Sequence, residues 1–167
     1  MLTKPATSGL DQKPNSVNAG RRYANDMNRK ASAQWKGDLR SGSGTVSTES
    51  GVLQKAQYSF KTRFEEGKGT NPEELLAAAH AGCFSMALSL MLQNEGLKAE
   101  SIDTTCTISL EKEGEGFAIK RSHLELRAKI PGAAKDAFDR ATQAAKEGCP
   151  VSKLFDTEIT LEAKLES

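Results

Sequence analysis

The chain has 167 residues, with 23 Lys and Arg against 22 Asp and Glu, a balance too even to steer a nucleic acid or an anionic membrane surface. An apolar fraction of 37% beside 27% charged residues fits a soluble globular fold, long enough to bury a core without a metal or disulfide staple. Three cysteines without a CxxC spacing exclude a stapled secreted framework and point to a reducing compartment.

Residues 1–26 hold Pro5, Pro14, Arg21 and Arg22 among polar residues and show no apolar periodicity. They read as a flexible N-terminal arm, with a basic targeting peptide or a natural start at Met27 as alternatives. Residues 27–167 read as a single domain. No segment has the charged start, apolar centre and small-residue cleavage site of a secretory signal, so the expected location is the cytoplasm.

From Ala31 the pattern is that of strands. Ala31, Ala33 and Trp35 alternate with Ser32, Gln34 and Lys36, and Gly42 and Gly44 punctuate the turn that follows. Thr45 to Thr48 and Gln57 to Arg63 read as the next strands, which places Arg63 at a strand end.

Asn71-Pro72-Glu73-Glu74 is the clearest helix start: an Asn cap, Pro at the first helical position and a Glu three residues after the cap. Gly96 marks the end. A helix from Pro72 to Glu95 is about 36 Å long at about 1.5 Å per residue. Its stretch from Leu75 to Leu92 passes a membrane-span length test of about 18 residues. His80, Gly82, Ser85 and Ser89 interrupt that stretch, however, and strand-like segments flank it, so it reads as the core helix of a soluble protein. With no charge between Glu74 and Glu95, it needs cover on nearly every side. One small domain can hardly supply that, and a second copy of the chain is the expected cover.

Beyond the helix, Ile102, Thr104, Cys106, Ile108 and Leu110 share one strand face, and Gly114 and Gly116 form a turn. Leu124, Leu126, Ala128 and Ile130 line one face of the next strand, with His123, Glu125, Arg127 and Lys129 on the other, until Pro131-Gly132 stops it. A helical repeat of Ala134, Ala137, Phe138, Ala141, Ala144 and Ala145 then closes at Gly148 and Pro150 around Cys149. Ile159, Leu161, Ala163 and Leu165 make a final strand. This order of strands, long helix, strands, helix and strand is α+β.

Taken singly, no cysteine declares a function. Cys83 among Ala79, Gly82, Phe84 and Ala87 reads as a core thiol, Gly148-Cys149-Pro150 is also ordinary helix-ending chemistry, and Cys106 keeps register with Ile102 and Ile108. His80 shares a helix face with Cys83, which permits a Cys-His nucleophile, but no third group or oxyanion site lies nearby and His80 reads as packed. His123, on a polar strand face, needs no role. A glycine-rich phosphate loop, a nucleotide fingerprint and a metal-ligand spacing are all missing from the sequence, so no cofactor or metal is expected.

Read together, several separated segments resemble the OsmC/Ohr family of hydroperoxide reductases, its OsmC branch in particular. They are Gly44-Thr45-Val46-Ser47-Thr48-Glu49-Ser50-Gly51, Thr62-Arg63-Phe64, Gly69-Thr70-Asn71-Pro72-Glu73-Glu74-Leu75, Ala78-Ala79-His80-Ala81-Gly82-Cys83-Phe84-Ser85-Met86-Ala87 and Gly148-Cys149-Pro150-Val151-Ser152. The resemblance spans about Asn28 to Ser167 and has no counterpart for residues 1–26.

It implies an OsmC-like fold, with antiparallel sheets around a long central helix, in an intertwined homodimer. It also implies that Cys83 is the peroxidatic cysteine, Cys149 the resolving cysteine, and Arg63 and Glu73 the active-site arginine and glutamate. The implied activity is reduction of organic hydroperoxides, and of hydrogen peroxide more weakly, in oxidative or osmotic stress defence. A dithiol or a lipoyl-bearing protein would be the reductant. The alternative is a non-enzymatic redox switch using the same cysteine pair. Glu73 and Cys83 lie about 15 Å apart on an unbroken helix, so either the helix breaks near Gly82 or Arg63 and Glu73 serve the site of the other subunit. The second arrangement is the expectation.

Overall fold

The structure is a computed structural model that describes residues 27–166, so the expected N-terminal arm lies outside the described residues. Among the described residues, 31–166 cluster as one unit, built from two small sheets and four helices.

The first sheet is an antiparallel meander of β1 (Ala31–Lys36), β2 (Ser43–Thr48) and β3 (Ala56–Ser59). Gly44 lies opposite both Trp35 and Tyr58. A side chain there would meet the Tyr58 ring at 2.4 Å, and the bare backbone lets the Trp35 and Tyr58 rings approach to 5.4 Å. All six residues of β1 are exposed in the single chain.

The expected strand through Arg63 ends early, at Ser59, and a short helix α1 (Phe60–Phe64) carries the arginine instead. The reason is local. Ser59 and Thr62 cap one another's backbone N–H groups, at 3.2 and 2.9 Å, and this reciprocal cap outweighs the strand-like alternation of Tyr58, Phe60 and Thr62.

Helix α2 (Pro72–Asn94) begins where the sequence places it, with the Asn71 side chain accepting from the Glu74 N–H at 2.8 Å. Glu74 itself turns outward and accepts from the Thr70 hydroxyl at 2.7 Å. The helix ends on Gly96 at φ 73°, with the Leu97 N–H reaching back to the Leu92 carbonyl at 2.9 Å. It runs through Gly82 without a break. His80, Phe84, Leu88 and Leu92 form its buried stripe, one residue per turn, and burial of each of the three apolar ones is worth about 1.5–3 kcal/mol. The helix is long and apolar enough to cross a membrane by length and composition, yet this stripe packs into the core of the fold. Among the described residues the opposite side is left exposed, Met86 at 77% and Leu90 at 51%.

The second sheet has the order β4 (Ser101–Glu113), β5 (Gly116–Lys129) and β6 (Glu158–Glu166). Leu124, Leu126, Ala128 and Ile130 are buried as the alternation predicts. β4 and β5 form an antiparallel hairpin, but β6 runs parallel to β5, which makes this sheet mixed. The chain returns through α3 (Lys135–Gly148) and α4 (Pro150–Leu154), a crossover that brings β6 back in the direction of β5. Gly148 remains helical, and the break between the two helices falls on Cys149 itself, which ends α3 and precedes Pro150 at the start of α4.

Candidate active site

The fold brings Cys83 and Cys149 together. Cys83 projects from the middle of α2 and Cys149 from the α3–α4 break, and their sulfurs are 2.8 Å apart although 66 positions separate them in the chain. Both are free thiols. Covalent S–S bonds measure about 2.05 Å, so closing this pair requires only a small shift. The two differ in access: Cys83 is half-buried and Cys149 fully buried. A reagent arriving from solvent therefore meets Cys83 first.

The Cys83 thiol is pushed above its ordinary pKa by burial first, and then by its hydrogen bond with Cys149. The backbone N–H of Val151, in the first turn of α4, pulls it partly back. Nothing else among the described residues of the single chain favours the thiolate, although the thiolate is the form that attacks.

Arg63 and Glu73 also come together, but elsewhere. The Arg63 Nε donates to both Glu73 carboxylate oxygens at 3.1 and 3.2 Å, and Nη2 donates to Oε1 at 2.7 Å. The Asn71 amide donates to the Thr62 carbonyl at 2.9 Å and ties α1 to the start of α2. The paired guanidinium edges an apolar hollow of about 300 Å³ whose walls include Trp35, Leu39, Tyr58, Phe60 and Phe64. Among the described residues neither Arg63 nor Glu73 hydrogen-bonds to Cys83 or Cys149. Because α2 is unbroken, Glu73 sits about 15 Å along the helix from Cys83.

His80 is fully buried, and both ring nitrogens are engaged. Nδ1 lies 2.7 Å from the Ser122 hydroxyl and Nε2 2.9 Å from the Ser152 hydroxyl. Burial lowers its pKa and keeps it neutral, so one nitrogen donates and the other accepts. The Cys-His reading finds no hydrogen bond between His80 and Cys83, and the sulfur near the ring is that of Cys106, at 3.8 Å from Nδ1. Cys106 lies 3.3 Å from Ser122 Oγ, and burial raises its thiol. The sequence reading gave Ser122 and Ser152 no role. On the outer face of the second sheet, His123, Glu125 and Glu162 place one ligand atom each within 4.8 Å of one another. This cross-strand grouping is invisible to sequence spacing, and surface carboxylates assemble in this way without an ion.

A model of the OsmC-like protein family matches residues 65–164, a stretch that includes Glu73, both sulfurs of the close pair and His80. The chain belongs to the OsmC family. It is 54% identical to the protein named Peroxiredoxin OsmC of Escherichia coli over 141 residues, covering 84% of this chain and 99% of that one. Among solved structures, an OsmC-like protein of unknown function from Vibrio cholerae shares the fold with a TM-score of 0.68 at 18% identity, over 83% of this chain and all of its own (100%). A Legionella pneumophila structure described as an organic hydroperoxide resistance protein OsmC matches with a TM-score of 0.59 at 25% identity, over 83% of this chain and 97% of its own.

Proposed function

We propose that this OsmC-family chain is a thiol-dependent peroxidase that reduces organic hydroperoxides, and hydrogen peroxide more weakly, in oxidative or osmotic stress defence. The observation that carries the reading is the pair of reduced sulfurs at 2.8 Å, one reachable from solvent and one buried. The Cys83 thiolate attacks the distal oxygen of ROOH, the O–O bond breaks, and the departing alkoxide takes a proton and leaves as ROH. Cys83 becomes a sulfenic acid. The Cys149 thiol then attacks that sulfur, releasing water and forming a disulfide, and an external dithiol or lipoyl-bearing protein restores both thiols.

The thiolate needs a positive charge, which the described residues of the single chain do not bring to Cys83, and Arg63 is the candidate. A charge about 4 Å away at an effective dielectric near 20 contributes about 4 kcal/mol, whereas lowering a thiol pKa by about two units requires about 2.7 kcal/mol. Glu73 holds the guanidinium in a two-pronged pair. In this reading Arg63 and Glu73 act on Cys83 of the second subunit of a homodimer. Support comes from the unbroken α2, from its exposed Met86 and Leu90, and from β1, all six of whose residues are exposed in the single chain. The apolar hollow beside Arg63 accommodates the organic part of the substrate. The reducing conditions this cycle requires fit a cytoplasmic location.

Repeated turnover of an alkyl hydroperoxide with a dithiol reductant tests the function. Many product equivalents per chain are expected, and a single equivalent followed by arrest would favour a redox switch over an enzyme.

A further inference from the structure

His80 and Ser152 repeat, one turn away, the contact made by the two sulfurs. His80 lies one turn before Cys83 on α2, and Ser152 lies three residues after Cys149, within α4. Their hydrogen bond of 2.9 Å therefore joins α2 to α4, beside the sulfur contact of 2.8 Å that joins α2 to the α3–α4 junction. Ser122 on β5 fixes the other face of the imidazole at 2.7 Å and anchors the pair to the sheet. The Phe155 ring, just past α4, closes on the imidazole edge-on at 5.2 Å. All three hydrogen-bonding residues are buried: His80 and Ser122 are 0% exposed and Ser152 6%.

The local chain gives this link a purpose. Cys149 belongs fully to neither α3 nor α4, and Pro150 has no N–H with which to tie the junction down. α4 is only five residues long and holds itself poorly. The Cys149 N–H donates to the Ala145 carbonyl of α3 at 2.9 Å and its carbonyl accepts from the Lys153 N–H of α4 at 3.0 Å, so before a disulfide exists the position of its sulfur depends on how both helices are held against α2.

We infer that His80 is a positioning residue for the second half of the cycle: through Ser152 it holds Cys149 against Cys83, so that the Cys83 sulfenic acid is captured before it oxidises further. The inference rests on the proposed peroxidase cycle. Two reactions compete for the sulfenic acid. In one, the Cys149 thiol displaces water and forms the disulfide. In the other, a second ROOH transfers an oxygen to sulfur, giving the sulfinic acid and ROH. The first is intramolecular, and its rate depends on how much of the time the two sulfurs stay adjacent. The second depends only on peroxide concentration and access.

The test is a peroxide titration of the reduced full chain, with the disulfide and sulfinic forms of Cys83 separated by mass spectrometry. For Ser152→Ala, the peroxide concentration at which half of Cys83 becomes sulfinic should fall about tenfold, the factor carried by one buried hydrogen bond. Ser152→Thr keeps the hydroxyl and should restore the parental value. Thr142→Ala serves as a control for simple destabilisation, because it also removes a buried hydroxyl, one that bonds only within α3. It should leave the partition at the parental value while lowering the unfolding temperature. An unchanged partition in Ser152→Ala, or an equal shift in Thr142→Ala, overturns the role of His80 and leaves the peroxidase reading standing. A parental protein that forms no disulfide overturns both.

Discussion

Arg63 grips Glu73 through two guanidinium nitrogens at the first turn of α2, about 15 Å along that helix from the Cys83 of its own chain. The pair is complete without the cysteine, so its geometry is set before any thiol or substrate arrives. Replacing Arg63 with Ala should raise the Cys83 pKa and lower kcat/KM for an alkyl hydroperoxide at neutral pH by about a hundredfold, the equivalent of about 2.7 kcal/mol. The sign follows from the thiolate being the reactive form: the rate rises with pH through the Cys83 pKa, and burial already moves that pKa upward. The variant's pH-rate curve should therefore be displaced to higher pH. A curve superimposable on the parental one would show that Arg63 does not touch the ionisation.

Subunit mixing separates action within one chain from action across a dimer. Cys83→Ser and Arg63→Ala should each be nearly inactive alone. Mixed in equal amounts and reassembled, they should regain about a quarter of the parental activity, because half of the dimers then hold one intact site of two. If Arg63 served its own Cys83, mixing would restore nothing.

The uncovered side of α2 gives a third prediction. Leu90 is 51% exposed in the single chain, so Leu90→Asp should cost the isolated chain little. In a dimer it buries an unpaired carboxylate. Sedimentation should show a monomer at concentrations where the parent is dimeric, with peroxidase activity lost in parallel. A dimeric, active Leu90→Asp would place the subunit contact elsewhere.

Buried His80 makes stability depend on acid. Its folded pKa is depressed below 6.5, so its contribution is fully present above that value and is lost as pH falls through the unfolded pKa toward the folded one. The unfolding temperature should decline as pH falls below about 6.5, and His80→Asn should flatten that decline. An equally steep decline in the variant would assign the acid sensitivity to other groups.

Periodicity and end signals made much of this fold legible. The buried face of β5 was visible in the alternation around Leu124 and Ile130, and α2 in its Asn71 cap and Gly96 stop. Features that depend on where the chain returns were not. The direction of β6 depends on the α3–α4 crossover, and the Ser122–His80–Ser152 link joins residues 42 and 72 positions apart through burial, which no local spacing encodes. Arg63 is placed on a strand by the two-residue alternation of Tyr58, Phe60 and Thr62, and the reciprocal Ser59–Thr62 cap that turns the chain into a short helix leaves no trace in that periodicity. The sulfur pair lay between these cases: the family motifs implied that Cys83 and Cys149 act together, whereas the fold was needed to show one sulfur reachable and the other buried.

The most direct measurement is peptide mapping of the reduced protein after a single equivalent of an alkyl hydroperoxide, with all remaining thiols alkylated. The account predicts a cross-link between the peptides carrying Cys83 and Cys149, with Cys106 recovered alkylated. Recovery of Cys83 and Cys149 as separate alkylated thiols, or a bridge that includes Cys106, would contradict it.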